Sequence, residues 1–164
     1  MDAELLGQVR SLLDLCRTKN LTIATAESCT GGSLAAALTD VAGSSDVFER
    51  GFVTYSNDAK QVMLGVPPGT LEIHGAVSRK TAQAMATGAL ARAPVDLTVS
   101  VTGIAGPHGA VTGKPVGLVH FAAASRGGQL VHVVRKFGDI GRAQIRRASV
   151  EQALTMLREV AEKE

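Results

Sequence analysis

The chain has 164 residues, of which 45% are apolar and 20% charged, and its 17 basic and 15 acidic side chains leave a net charge of +2. This composition predicts a single globular domain over residues 1–164 and excludes a disordered chain. The balanced charge argues against a nucleic-acid-binding protein, which needs a basic face, and no apolar run is long enough to cross a membrane.

The first third of the chain alternates helical and strand patterns. Apolar residues from Leu5 to Cys16 fall on one helical face, and this helix is expected to end near Asn20. Because the segment is amphipathic and carries acidic residues, it is not a signal peptide, and a cytoplasmic protein is expected. Three elements follow: a short buried strand over 21–28, a glycine turn and helix over 29–43 closed by Gly43, and a second strand over 48–56.

The remaining elements are a short helix over 57–64, two further helices and three strands. The segment 66–77 reads as a loop because it contains two prolines and two glycines. Capping patterns place Ser56 or Asn57 at the start of the short helix, and Ser78 at the start of a helix over 78–93. The other predictions are a strand over 96–103, a glycine-proline loop, a strand hairpin over 117–125 and 129–137, and a last helix over about 142–162.

Two helix faces are expected to be buried. The buried residues expected in the helix that begins at Ser78 are Ala82, Met85, Ala86 and Ala89. Those expected in the last helix are Ile145, Ala153, Leu154, Leu157 and Val160. Because helices alternate with strands early and a hairpin comes late, the fold class is α/β, with a mixed sheet covered by helices on both faces.

The strongest local signal for chemistry is the segment AESCTGG over residues 26–32, which joins a buried strand to a helix. A serine at such a turn, Ser28, can act as a nucleophile, and free N–H groups at the helix start can hold an oxyanion. The same geometry also binds phosphate, and small polar residues with glycines before a helix are often only a turn and a cap. The pattern alone leaves these alternatives open.

A nucleophilic serine needs a base, and no His–Asp pairing is visible. His74 and His108 lie in predicted loops from which they could reach a site. The other candidate is Lys60, which can serve only if its pKa is lowered by burial or by a nearby positive charge. A lysine on a short helix is more often a solvated charge, and Tyr55 could relay a proton or simply pack at the rim. His120 and His132 lie on predicted strands, where we expect paired or edge residues.

A second glycine-rich segment, TGIAGPHG over residues 102–109, leaves the carboxyl end of a predicted strand, where open sheets bind ligands. Thr102, the N–H groups of the loop and Lys114 are candidate phosphate ligands. The spacing matches neither a Walker A motif nor a dinucleotide-binding fingerprint, so the pattern indicates only an anion-binding loop.

Several blocks of the sequence together resemble the CinA C-terminal domain family, whose enzymatic members are nicotinamide-nucleotide amidases. The blocks are TAESCTGG, GFVTYSNDAKQVMLGV, HGAVS, VSVTGIAGPHG and KPVGLV, in this order over nearly the whole chain. The resemblance implies a single three-layer α/β/α domain of the stand-alone form, without the larger N-terminal domain of full-length CinA proteins. It also implies a homodimer or higher homo-oligomer, no metal and no cofactor.

The implied reaction is hydrolysis of nicotinamide mononucleotide to nicotinate mononucleotide and ammonia. By position in the matching blocks, Ser28 is the nucleophile, Lys60 the catalytic lysine and Tyr55 its partner in proton transfer. The implied substrate-binding residues of the turn are Thr30, Gly31 and Gly32, with the N–H groups of Thr30 and Gly31 for the oxyanion. Those implied for the nucleotide are Thr102, Gly103, Ile104, Ala105, Gly106, Lys114 and Arg142, with Arg146 as the alternative to Arg142.

Two rival interpretations remain at this point. Cys29 is the better nucleophile if it is ionised, although adjacent residues at a sharp turn point in different directions and a buried Cys29 is favoured. The chain could also be a non-catalytic nucleotide-binding regulatory module linked to competence or DNA damage. Such a module would need the glycine loop but not Ser28 and Lys60 together.

Overall fold

Five strands and six α-helices make up the computed structural model, which describes residues 1–164. The strands are β1 (Ile23–Glu27), β2 (Phe48–Val53), β3 (Leu97–Gly103), β4 (Leu118–Ser125) and β5 (Leu130–Lys136). The helices are α1 (Ala3–Lys19), α2 (Ser33–Thr39), α3 (Asn57–Leu64), α4 (Pro68–His74), α5 (Arg79–Arg92) and α6 (Arg142–Glu162), and a 3-10 turn spans Ser44–Asp46. No helix combines the length and the hydropathy needed to cross a lipid bilayer.

The strands form one sheet, which is mixed as predicted, and their order in it is β2-β1-β3-β4-β5. β1 pairs in parallel with β2 and with β3, whereas β4 pairs antiparallel with β3 and with β5. The chain leaves β1 for β2 on one side and returns as β3 on the other side. The carboxyl ends of β1 and β3 therefore flank the point at which the connections diverge, which is where open sheets bind ligands.

Helices cover both faces of this sheet, which confirms the three-layer α/β/α architecture. On one face, α1, α2 and α6 pack with the sheet into a core of 26 buried residues that includes Ile23, Val99 and Phe121. On the other face, α5 packs with α3 and α4 around a smaller apolar cluster that includes Ala26 and Met85. Side chains alternate between the two faces along a strand, so β1 contributes to both layers.

Local signals placed several elements correctly. The Ser56 hydroxyl accepts a hydrogen bond from the Ala59 N–H at 2.9 Å, and the Ser78 hydroxyl accepts one from the Thr81 N–H at 3.1 Å, so both serines cap the helices predicted for them. All residues expected on the inner faces of α5 and α6 are buried. The strand hairpin is present as β4 and β5.

Two predictions of local structure were wrong. The segment 66–77 is not wholly a loop, because Pro68 occupies the first turn of α4, where a missing N–H costs nothing, and Leu71 is buried beneath it. The helix predicted to run to Gly43 ends at Thr39. Gly43, with φ +83°, instead begins the 3-10 turn that leads into β2.

Candidate active site

Ser28 lies at the carboxyl end of β1 and is tied to the neighbouring strand by its N–H, which donates to the carbonyl of Val101 at 2.9 Å. It opens into a cavity of about 290 Å³. The cavity is lined by Ser28, Cys29, Tyr55, Asn57, Lys60, Ala76, Val77, Thr102, Gly103, Ile104, Ala105, Gly106, His108, Gly109 and Arg142. These residues come from the ends of β1 and β3, from the loop after β3, from the segment after β2 and the start of α3, from the residues between α4 and α5, and from the first residue of α6.

Lys60 is buried against Ser28 and is not the solvated lysine that a short helix usually carries. Only 1% of its surface is exposed, and its Nζ lies 3.0 Å from Ser28 Oγ. The same nitrogen lies 3.0 Å from the carbonyl oxygen of Thr54 and 3.5 Å from that of Ser56. The Ser56 cap fixes the first turn of α3, and helical side chains slant toward the N-terminus, so Lys60 points back to the end of β1.

Burial lowers the pKa of the Lys60 ammonium from its ordinary value. None of the ion pairs of the protein includes Lys60, so no carboxylate in contact with it offsets the loss of solvation. Burial therefore shifts the equilibrium of Lys60 toward the neutral amine, whose lone pair can accept a proton. A neutral lysine at hydrogen-bond distance is the base that an otherwise unreactive serine requires.

Cys29 is 7% exposed and lines the same cavity, but its environment disfavours the thiolate. Burial raises the pKa of its thiol to about 11. Since the thiolate is the reactive form, Cys29 is a poor nucleophile near neutral pH.

The backbone of the turn after Ser28 assigns its N–H groups differently from the sequence prediction. The Gly31 N–H donates to the Ser28 carbonyl at 3.0 Å and closes the turn, so it is not free for an oxyanion. The N–H groups of Cys29 and Thr30 have no oxygen acceptor within the protein. None of the predicted substrate-binding residues Thr30, Gly31 and Gly32 lines the cavity, and Gly32, with φ +101°, is the residue before α2.

Inside the fold, the carboxylate of Glu27 holds the start of α2. Glu27 is fully buried and accepts the N–H groups of Leu34 at 2.9 Å and Ala35 at 3.0 Å. An anion at a helix N-terminus satisfies donors that have no helical partner and interacts favourably with the helix dipole. Glu27 thus fixes the turn that carries Ser28 from within the core.

Tyr55 and Arg142 meet at the mouth of the cavity. Arg142 donates to the Tyr55 hydroxyl at 2.9 Å and to the carbonyl of Gly106 at 2.8 Å, which joins the segment after β2 to the glycine loop. Tyr55 is 60% exposed and does not hydrogen bond to Ser28 or Lys60. The structure therefore places both predicted residues at the site, with Tyr55 bonded to Arg142 rather than to the serine and lysine.

The glycine loop lines the cavity from Thr102 to Gly106, as expected, but Lys114 does not. The Nζ of Lys114 donates to the carbonyl of His74 at 2.7 Å, at the end of α4, because the loop folds back onto that helix. Lys114 therefore lies outside the cavity in which it was predicted to bind phosphate. The Thr102 hydroxyl donates to the carbonyl of Ala76 at 2.7 Å.

Sequence reasoning did not single out Asn57, which lines the cavity, and left His108 only as a histidine that could reach it. The signal for Asn57 was its position three residues before Lys60, since residues three apart lie on the same side of a helix. His120 and His132 are paired, as expected, with Nδ1 of one 2.9 Å from Nε2 of the other, and they lie outside the cavity.

Comparison with known proteins gives the family. The model of the CinA C-terminal domain matches residues 7–161. The chain belongs to the CinA C-terminal domain family. A crystal structure of the competence/damage inducible protein CihA from Agrobacterium tumefaciens is 52% identical, covers 96% of this chain and 95% of its own, and superposes with a TM-score of 0.94.

The relatives within this family differ in length. A putative competence-damage inducible protein of Acetivibrio thermocellus is 53% identical over 85% of this chain, but the match covers only 33% of that relative. The chain thus spans about a third of the length of several CinA-like relatives. The nicotinamide-nucleotide amidohydrolase PncC of Escherichia coli is 47% identical over 95% of this chain and 94% of its own length.

Proposed function

We propose that this protein is a nicotinamide-nucleotide amidohydrolase in which Ser28 is the nucleophile and Lys60 the base. The observation that carries the proposal is the buried Lys60 amine, 3.0 Å from Ser28 Oγ with no carboxylate in an ion pair with it. The near full-length similarity to PncC supports the choice of substrate. A pure binding module would have no need of a buried lysine against a serine, since burying that amine is unfavourable.

In the first half of the reaction, Ser28 Oγ attacks the carboxamide carbon of the nicotinamide while Lys60 Nζ accepts the serine proton. The carbonyl oxygen becomes an oxyanion, which the free N–H groups of Cys29 and Thr30 are suited to receive, the first of them belonging to the residue after the nucleophile. Lys60 then returns the proton to the amide nitrogen, the C–N bond breaks, and ammonia leaves behind an ester on Ser28.

In the second half, water attacks this ester carbon and Lys60 accepts the proton of the water. The tetrahedral intermediate collapses, the C–O bond to Ser28 breaks, and Lys60 returns the proton to Ser28 Oγ. The nucleotide leaves with a carboxylate in place of the carboxamide. The carbonyls of Thr54 and Ser56 hold the Nζ in place through both halves.

Arg142 is the cation that we assign to the phosphate of the nucleotide, at the mouth of the cavity. Two of its N–H groups are engaged by Tyr55 and Gly106, and a guanidinium has five, so donors remain for a phosphate oxygen. The backbone of the loop from Thr102 to Gly106 lies beside it. Tyr55, through its bond to Arg142, then acts on substrate placement more directly than on proton transfer.

The test is ammonia release from nicotinamide mononucleotide by the wild type, Ser28→Ala and Cys29→Ala. The proposal expects activity in the wild type, a loss of at least about 10³-fold in Ser28→Ala and most of the activity in Cys29→Ala. Activity that survives in Ser28→Ala and disappears in Cys29→Ala would transfer the nucleophile to the thiol. Nucleotide binding without ammonia release in the wild type would favour the regulatory module.

We also propose that the protein forms a homodimer. The supporting observation is β5, a strand at the edge of the sheet that exposes the apolar side chains of Leu130 and Val134. Exposed apolar edge strands favour pairing with another chain. Light scattering should give twice the mass of the chain, and Val134→Lys should shift the mass toward the monomer. A wild-type monomer at all concentrations would contradict the proposal.

A further inference from the structure

The Arg146 side chain donates hydrogen bonds to the turn that follows Ser28. Its Nε donates to the carbonyl of Cys29 at 3.2 Å, and one Nη donates to the carbonyl of Thr30 at 3.0 Å and to the Ser33 hydroxyl at 3.1 Å. Arg146 takes part in no ion pair. Its charge is therefore directed at the oxygens of a single turn rather than at an acidic partner.

These contacts determine the direction of an N–H group on the opposite side of the turn. In a trans peptide, the C=O of one residue and the N–H of the next point in opposite directions. Since Arg146 holds the Cys29 carbonyl outward, the Thr30 N–H faces the other way. In the preceding peptide, the Ser28 carbonyl accepts the Gly31 N–H, so the Cys29 N–H of that peptide points away from Gly31.

Neither of these two N–H groups has an oxygen acceptor in the protein, and the same holds for the Gly32 N–H. Cys29 lines the cavity, and Thr30 is fully buried next to it. They follow the nucleophile directly, and a pair of preorganised donors at this position is the usual means of stabilising an oxyanion. Arg146 itself is absent from the lining of the cavity, whereas Arg142, one helical turn earlier on α6, lines it. The two arginines therefore have separate roles.

We propose that Arg146 is a positioning residue that aims the Thr30 N–H at the oxyanion formed on Ser28. The inference rests on the proposed function, because it presupposes that Ser28 is acylated. A guanidinium suits the task because its rigid fork reaches two carbonyls at once, whereas a lysine ammonium is a single flexible point. Loss of the fork leaves Ser28 and Lys60 in place but frees the Cys29–Thr30 peptide to rotate.

A merely structural clasp between α6 and the turn would predict a different result. It would lower the thermal midpoint and would leave the chemistry of the folded enzyme unchanged. The measurement must therefore report on the oxyanion site in folded protein, independently of the natural substrate. The rate at which a fluorophosphonate probe modifies Ser28 meets this need, since its phosphoryl oxygen must be stabilised where the oxyanion forms.

The experiment compares wild type, Arg146→Gln, Arg146→Lys and the matched control Arg147→Gln. Arg147 is the next residue of α6 and bonds to Asp2 and Glu151, away from the turn. We expect Arg146→Gln to slow the labelling of Ser28 and to lower kcat by about 10- to 100-fold, with KM within about threefold of the wild type. Arg146→Lys should recover part of both rates, and Arg147→Gln should match the wild type.

Labelling of Arg146→Gln at the wild-type rate, at a temperature where it is folded, would overturn the positioning role. An equal loss in Arg147→Gln would do the same, because it would indicate a general effect of α6. A wild type that is labelled at Ser28 but releases no ammonia from nicotinamide mononucleotide would contradict the proposed substrate and leave the Arg146 comparison valid. A wild type that is not labelled at Ser28 would overturn both proposals.

Discussion

Replacing Lys60 by methionine should separate activity from stability. The two side chains are similar in length, and methionine adapts to irregular buried spaces, so Lys60→Met fits where only 1% of the lysine surface is exposed. The substitution removes the base 3.0 Å from Ser28 Oγ and also the cost of burying an amine. The enzyme should lose its activity and become more stable.

The expected magnitudes follow from these contacts. General-base catalysis contributes about 10²- to 10⁴-fold, so kcat should fall by about 10³-fold, which corresponds to about 4 kcal/mol of transition-state stabilisation. The free energy of unfolding at neutral pH should rise by about 1 kcal/mol, because removing the desolvated amine outweighs the loss of its hydrogen bonds with Ser28, Thr54 and Ser56.

The pH dependence provides an independent check on the same residue. Burial lowers the pKa of Lys60 in the folded state, whereas in the unfolded chain it lies near 10.5. Between these two values the unfolded state holds more protons, so wild-type stability rises with pH over that interval. Activity should fall as the pH drops through the folded-state pKa, because protonated Lys60 cannot accept the serine proton.

The assays are ammonia release and urea denaturation, with Lys80→Met as the matched control, since Lys80 is exposed on α5. The control should retain wild-type activity and pH dependence. The reasoning would be refuted if Lys60→Met kept more than a tenth of the wild-type kcat. A loss of more than about 2 kcal/mol in its unfolding free energy would also refute it, since this would mean that Lys60 stabilises the fold as a charged group.

Three further perturbations test other parts of the site and fold. Glu27→Gln should lower the free energy of unfolding in urea by about 1–3 kcal/mol, because a buried amide cannot accept the two N–H groups of α2 as a carboxylate does; an unchanged midpoint would contradict this. Burial lowers the pKa of His120 to about 4 in the folded protein, whereas in the unfolded chain this pKa is near 6.5. As the pH falls from 6.5 to 4, the unfolded chain is therefore protonated first. The free energy of unfolding should drop by about 2 kcal/mol over that range in the wild type but not in His120→Gln. Arg142→Met should raise KM for nicotinamide mononucleotide about tenfold and leave the phosphate-free riboside unaffected; equal effects on both would remove Arg142 from the phosphate site.

Most of the local structure could be predicted from the sequence. The Ser56 and Ser78 caps, the apolar faces of α5 and α6, and the hairpin of β4 and β5 depend on residues within a few positions of each other. The buried strand before Ser28 and the glycine turn after it were also predicted from adjacent residues. Where local signals conflicted, as in the proline-glycine segment that contains α4, packing of Leu71 decided the outcome.

The candidate site could be predicted only in part. The resemblance to the CinA C-terminal domain family supplied Ser28 and Lys60 together, whereas pattern alone favoured a solvated lysine. No sequence signal indicated that the Gly31 N–H closes the turn, that Lys114 bonds to the end of α4, or that Arg146 lies against the turn. Each of these depends on which of several equally plausible partners a flexible side chain or a peptide reaches.

The sequence by itself determined most of the elements, the α/β class and the turn that presents Ser28, because helix caps, apolar periodicity and glycine conformations act over a few residues. Only the tertiary structure decided the chemistry of that turn. Parallel pairing of β1 with β3 brings Ser28 beside a loop more than 70 residues later in the chain, and α3 buries Lys60 against it. Burial, and with it the lowered pKa of Lys60, is a property of all the elements packed around the group and of no single segment.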